Sequence, residues 1–344
     1  MRSKSLAALS IALVLIAGMV FAQGQGPRKD VGKNVPLPDA PDRNSSPQIP
    51  SLSIDVDVVS VDVVVTDKNG NPITGLEKKN FKIYDDNVEQ AVTNFRPTDA
   101  PLTVVVVVEF GQTFGYYFDD VVGPAAGFIN TLRDNDWAAL VAYDIRPEIL
   151  TDFTKNKATL FDGLRRLQIP TYRETALYDA VYDTLERLDN VDGKKTIFLL
   201  STGLDTISKH TYDEILKKSG SSDTMIYAVG MAQMARLVLE ARGQLGSLDQ
   251  ITLLQADNTL RSLAENTGGI AFFPRFVTEY PSIYETVSNN FRDQYSLGFV
   301  PKNQKKDGKF HKLRVEVPGL DLNNDGKPDQ LKVRHKKGYY APKS

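Results

Sequence analysis

Glu109, Gln112 and Thr113 follow directly on Val104–Val108, five consecutive valines in the segment LTVVVVVEFGQT. An unbroken β-branched run reads as a strand buried on both faces, as in a parallel sheet covered by helices. Ligands of such sheets sit at the carboxyl ends of the strands, where these three polar residues fall. A second oxygen-rich segment runs from Asp321 to Asp329, DLNNDGKPD. Asp321, Asn323 and Asp325 have the spacing of a calcium loop, Gly326 permits the sharp turn, and Asp329 stands at the ninth position. Its twelfth position is Lys332, where a bidentate Glu would close an EF-hand, and strand-like segments flank it. Two readings stay open: a strand-flanked Ca²⁺ loop, or a polar Asn-Asp-Gly hairpin turn.

Other chemistry is sparse. The chain has no cysteine, which removes disulfides, thiolate metal sites and thiol nucleophiles. His210, His311 and His335 are scattered without metal-ligand spacing and read as surface residues. Asp119 with Asp120, and Asp134 with Asp136, are carboxylate pairs lacking a neighbouring nucleophile. With no Gly-rich phosphate loop and no hydrolase elbow, no enzyme activity is expected.

The elements that must position these residues fall into blocks. Residues 1–22 combine Arg2 and Lys4, an apolar stretch and Val20-Phe21-Ala22, the pattern of a secretory signal peptide cleaved after Ala22. Export to the periplasm or the extracellular space follows, with no transmembrane segment after cleavage. Residues 23–50 hold six of the 18 prolines and form a flexible linker. Period-2 alternation in 51–97 (Val61, Val63, Val65 against Asp62, Val64) predicts the first part of a small β domain. Strands and helices then alternate through 98–293, which predicts a doubly wound, mostly parallel α/β sheet. Alternation returns in 294–344, so both flanks are expected to complete one all-β domain. Residues 231–250 read as a helical excursion from the α/β core.

The motifs VVTDKNG (64–70), Tyr84-Asp85-Asp86, Thr175-Ala176-Leu177-Tyr178-Asp179-Ala180, Tyr295-Ser296-Leu297-Gly298-Phe299 and Lys337-Gly338-Tyr339-Tyr340, in this order, resemble the von Willebrand factor A-related proteins abundant in acidobacteria. The resemblance implies a von Willebrand factor A-like domain, adhesive and non-enzymatic in most relatives, carried on a small β domain. It also implies a Mg²⁺ site at the strand ends, where a hard cation would be held by oxygens with one position open to a partner's carboxylate. Carried over by position, the ligands are Glu109, Thr113 and Thr175, with Asp205 three residues beyond Thr202. That Thr stands where a carboxylate is usual. The site is therefore expected to be degenerate, with Mg²⁺ bound weakly or not at all and no certain cofactor.

These readings converge on an exported, non-catalytic adhesion module. Its strand-end loop would offer Phe110, Gln112, Phe114, Tyr116 and Tyr117 to a protein or an envelope polymer, in keeping with aromatic enrichment at interface cores. The alternative is a structural scaffold subunit of a cell-envelope assembly. The 41 basic and 43 acidic residues nearly cancel, and nucleic acid is not an expected partner. Residues 302–344 carry 12 Lys or Arg against five Asp or Glu, an asymmetry that can favour an anionic envelope polymer.

Overall fold

The protein is described from a computed structural model at residues 58–96, 102–111, 118–167, 172–243, 246–303, 306–321 and 326–342. The expected signal peptide and linker lie outside the described residues. The chain begins with β1 (Val59–Thr66), β2 (Lys82–Asp85), β3 (Val88–Gln90) and β4 (Val92–Arg96). The valine run is β5 (Leu102–Glu109), followed by α1 (Phe118–Thr131), β6 (Trp137–Tyr143), β7 (Pro147–Thr154), α2 (Lys157–Arg165) and α3 (Leu177–Leu188). Next come β8 (Lys194–Ser201), α4 (Tyr212–Ser221), β9 (Met225–Gly230), α5 (Ala232–Ala241), α6 (Ser247–Thr267), β10 (Ala271–Phe272) and α7 (Tyr280–Arg292). The chain closes with β11 (Gln294–Phe299), β12 (Phe310–Glu316), β13 (Lys332–His335) and β14 (Gly338–Tyr340).

Six strands form one sheet in the order β10-β9-β8-β5-β6-β7, parallel except for the β6–β7 pair. Every residue of β5 is buried, because helices cover both faces of the sheet. Val104, Val106 and Val108 pack with Phe128 and Phe291 of α1 and α7, whereas Val105 and Val107 pack with Leu177 and Val181 of α3 and Leu260 of α6. Each buried valine contributes roughly 1.5–3 kcal/mol. Demand for apolar side chains on both faces is why the strand shows no alternation. Chain order reverses at β5, whose two sheet neighbours are β6 and β8, so the crevice between the carboxyl ends of β5 and β8 is a topological switch point.

The remaining eight strands build two antiparallel sheets, β13-β1-β11-β4 and β14-β12-β2-β3. They enclose one apolar core that includes Val61, Val63, Val65, Phe81, Ile83, Tyr295, Leu297, Leu313 and Tyr339. Val64, on the opposite face of β1, joins the core of the six-stranded sheet instead. On the same side Arg334 of β13 donates to Asn290 Oδ1 of α7 at 3.1 Å, and Gln294 Nε2 reaches Met225 Sδ at 3.3 Å. Period 2 in β1 thus separates two cores.

Three features depart from the sequence reading. Helix α4 was not anticipated, although Thr211 and Glu214 form a reciprocal capping box that the TxxE pattern announces. Lys194 and Lys195 open β8 from buried positions, with Lys195 paired to Asp223 at 2.6 Å. The segment 317–331 joins β12 to β13, which lie in different sheets. The Asp321–Asp329 segment is therefore a crossover between sheets and not the turn of a hairpin.

Candidate functional site

Glu109, the last residue of β5, is 1% exposed and turns its carboxylate toward the end of β8. Oε2 accepts from Thr202 N at 2.7 Å and from Ser201 Oγ at 3.0 Å, and Oε1 accepts from Thr202 Oγ1 at 3.0 Å. Tyr143 Oη, at the end of β6, lies 3.1 Å from Oε2 and 2.7 Å from Ser201 Oγ. Gly203 N donates to Ser201 Oγ at 2.9 Å, and Leu204 N to Thr202 Oγ1 at 3.2 Å, which leaves both hydroxyl protons free to point at the carboxylate. Burial pushes the Glu109 pKa up, and the Thr202, Ser201 and Tyr143 hydrogen bonds oppose that rise. The same burial, with Glu109 beside it, pushes the Tyr143 hydroxyl well above its ordinary value.

Thr202 explains this closure. A carboxylate at its position would face Glu109 across the switch point and require a cation between them. A hydroxyl donates to Glu109 directly. Gly203 completes the turn with φ +84°, and a Cβ there would meet Ala256 O of α6 at 2.3 Å. Loop 201–204 is thus pressed between β5 and α6, with Glu109 as the acceptor that organises it.

The other expected ligands are engaged elsewhere. Thr175 Oγ1 donates to Leu204 O at 2.9 Å, and Thr175 N donates to Thr206 Oγ1 at 2.8 Å. Asp205 Oδ1 accepts from Tyr178 N at 3.0 Å and from Ser208 Oγ at 2.5 Å, while Asp179 N donates to Ser208 Oγ at 3.1 Å. Together these satisfy first-turn N–H groups of α3, whose own N-cap residue, Ala176, cannot. Burial raises the Asp205 pKa, with hydrogen bonds from Ser208 and Tyr178 opposing. Thr113, Gln112, Phe114, Tyr116 and Tyr117 lie outside the described residues. Phe110 is described, and it is partly buried against the core beneath α1 rather than presented to solvent.

In the Asp321 segment, Asp321 Oδ2 accepts from Gly326 N at 2.8 Å, and Gly326 has φ +81°. Asp329 N donates to Leu320 O at 2.7 Å, and Asn323 and Asp325 lie outside the described residues.

Two features escaped the sequence reading. The first is the distribution of exposed apolar side chains. Tyr172 precedes α3, Ile207 follows β8, Ile251 and Leu254 lie in the first half of α6, and Phe276 and Val277 follow β10, all between 37% and 63% exposed. Each lies in a segment at the carboxyl edge of the six-stranded sheet. Since Ala256 of α6 is level with Gly203, the residues of α6 before it extend past that edge. Only the three-dimensional winding brings these separated residues to one end. The second is His311, which is buried and not at the surface, and which meets Asp85 and Asp86 of the β2–β3 turn. His210, whose side chain is 30% exposed, stacks on Tyr182 at 3.8 Å and pairs with Asp179 at 2.8 Å. His335 Nε2 accepts from Val315 N at 3.1 Å.

No protein-family model matches the chain, and no curated protein matches it. Among solved structures it is similar to the von Willebrand factor domain of the type V pili tip protein Mfa5 from Porphyromonas gingivalis, with 14% identity, 56% of this chain and 96% of that one covered, and a TM-score of 0.42. It is also similar to a von Willebrand factor type A protein from Catenulispora acidiphila, with 10% identity, 77% and 73% covered, and a TM-score of 0.42. A third similar structure is the manganese-loaded TRAP protein of Plasmodium vivax, with 10% identity, 73% and 96% covered, and a TM-score of 0.39. Among the described residues no helix is long and apolar enough to cross a membrane.

Proposed function

We propose that the protein is an exported, non-catalytic binding module of the von Willebrand factor A type that engages a protein or envelope partner through the carboxyl edge of its six-stranded sheet. The observation that carries this reading is the gathering of Tyr172, Ile207, Ile251, Leu254, Phe276 and Val277 in the segments at that edge. Exposed apolar side chains concentrated at one end of a domain mark interaction surfaces. The hydrogen bonding of Glu109 supports a second part of the reading: the edge binds without a strand-end cation, because the carboxylate is already matched by donors from Ser201 and Thr202. The antiparallel sheets, built from both flanks of the chain, act as one β domain that carries the binding domain.

The test is cross-linking of the full exported chain to its surroundings from photoreactive residues at positions 207, 254 and 276, with positions 88 and 310 as controls on the antiparallel sheets. Adducts from the first set, unchanged in EDTA and reduced by Leu254→Asp, are expected. Val88 and Phe310 are also exposed, at 53% and 42%, and they favour the scaffold reading. Adducts from these two positions alone would replace the adhesion reading with it.

A further inference from the structure

We infer that Asp85, Asp86 and His311 form a binding site for a first-row divalent transition-metal cation, of which Zn²⁺ fits best. The three residues come from one corner of the antiparallel sheets. Asp85 ends β2, Asp86 begins the turn to β3, and His311 lies on β12, where it pairs with Tyr339 of β14. The turn is tight: Asp86 and Asn87 both have positive φ, +46° and +68°, the backbone that lets a two-residue hairpin follow the twist of its strands. Lys312 N donates to Asp86 Oδ1 at 2.9 Å, and Asp86 N donates to Lys312 O at 2.9 Å, so the turn is fastened to β12 beside the histidine.

Two carboxylate oxygens converge on one ring nitrogen. His311 Nδ1 lies 3.2 Å from Asp85 Oδ1 and 3.2 Å from Asp86 Oδ2, and one potential ligand atom from each residue falls within 4.8 Å of the others. A single Nδ1 proton would have to serve both oxygens, each farther away than the roughly 2.7–2.9 Å of a strong charge-assisted hydrogen bond. A Zn²⁺ ion bound at about 2.0–2.1 Å to nitrogen and oxygen sets neighbouring ligand atoms roughly 3.0–3.4 Å apart, the spacing of each carboxylate oxygen from the His311 nitrogen. Two carboxylates and a neutral imidazole also balance a dipositive charge. One nitrogen among few oxygens suits Zn²⁺ better than Ca²⁺ or Mg²⁺, which take shells of oxygen.

The supporting contacts are those of a prepared site. Tyr339 Oη donates to Asp85 Oδ2 at 3.1 Å, leaving Oδ1 for the ion, and the Tyr339 ring stacks on His311 with centroids 5.2 Å apart. Contacts of this kind fix ligand orientation in metal sites. The Asp85 and His311 side chains are 3% and 8% exposed, while that of Asp86 is 55% exposed, so an ion would enter from the Asp86 side and keep a position open there. The sequence conceals the set, because His311 lies 225 positions after Asp86.

Titration of the untagged, metal-stripped full chain with Zn²⁺, followed by calorimetry, tests the assignment, with Co²⁺ absorption reporting the ligand field. One ion per chain is expected. Asp86→Asn, which preserves an amino acid tolerant of positive φ, should weaken binding at least tenfold without unfolding the protein. His311→Gln should abolish binding, and Tyr339→Phe should weaken it about tenfold through loss of the support to Asp85. Glu109→Gln should leave it unchanged. Absence of Zn²⁺ binding to the full chain, or undiminished binding in Asp86→Asn, would overturn the proposal, as would loss in Glu109→Gln with retention in Asp86→Asn.

Discussion

Glu109 and the Asp85–Asp86 pair are carboxylates at strand ends, Glu109 and Asp85 buried and Asp86 exposed, yet their surroundings treat the charge in opposite ways. Around Glu109 every neighbour is a donor: Thr202 N, two hydroxyls and a phenol. Around Asp85 and Asp86 the shared neighbour is an imidazole with at most one proton to offer between them. A carboxylate matched by neutral donors is a structural post that holds a loop. Asp85 and Asp86 each have one oxygen satisfied, by Tyr339 Oη and by Lys312 N, and turn the other toward the same imidazole. Residue type alone does not distinguish a metal ligand from a post; the balance of donors and acceptors around the carboxylate does.

The largest way to break this comparison is to delete the post. Glu109→Ala would strand the Ser201, Thr202 and Tyr143 donors in a site that water cannot readily fill, and it should cost about 3–4 kcal/mol in denaturant unfolding. A loss below about 1 kcal/mol would mean that loop 201–204 holds itself. Thr202→Asp reverses the local chemistry by placing a second carboxylate against Glu109. It should destabilise the protein by about 2–3 kcal/mol in EDTA and recover part of that in millimolar Mg²⁺. Failure of Mg²⁺ to restore stability would show that the crevice lacks the remaining ligands even when the carboxylate is supplied.

Asp85→Asn sharpens the other side. It disturbs the contacts with Tyr339 and His311 and should cost about 1–2 kcal/mol in metal-free buffer, with a larger deficit once Zn²⁺ stabilises the parent protein. Equal deficits with and without Zn²⁺ would make the cluster purely structural.

The smallest effect concerns Asp62, on the face of β1 opposite the sandwich core. Burial pushes its pKa up to about 6, with Asp223 adding to the rise and Ser296, Lys336 and Lys194 opposing it. The folded state therefore prefers the protonated carboxyl. Stability from this group is present below pH 3.8 and is lost as pH rises through about 6. Asp62→Asn should flatten that window by about 1 kcal/mol, allowing for the partial exposure of the residue. A variant whose melting temperature tracks the parent from pH 4 to 7 would assign the titration to another group.

Much of the fold was legible in the chain. Five valines without alternation could only be a strand covered on both faces, and β5 is buried throughout. Period 2 in Val61, Val63 and Val65 placed the strand β1, whereas the TxxE of Thr211–Glu214 carried a capping signal for α4 that the sequence reading passes over. Local sequence fixes such features because burial periodicity and capping act over a few residues.

Tertiary structure decided everything that depends on residues far apart in the chain meeting. Phe110, an aromatic in a polar loop, is partly buried against the core that α1 and α7 share with β5. Thr175 and Asp205 bond to Leu204 O and to an α3 amide because loop 203–208 brings these groups within reach. His311 had no spacing to identify it; the pairing of β2 and β14 with the same strand, β12, brought it to Asp85 and Tyr339. Sequence sets which groups need partners, whereas strand order and register choose the partners, because a buried polar atom bonds to whatever the fold places about 3 Å away.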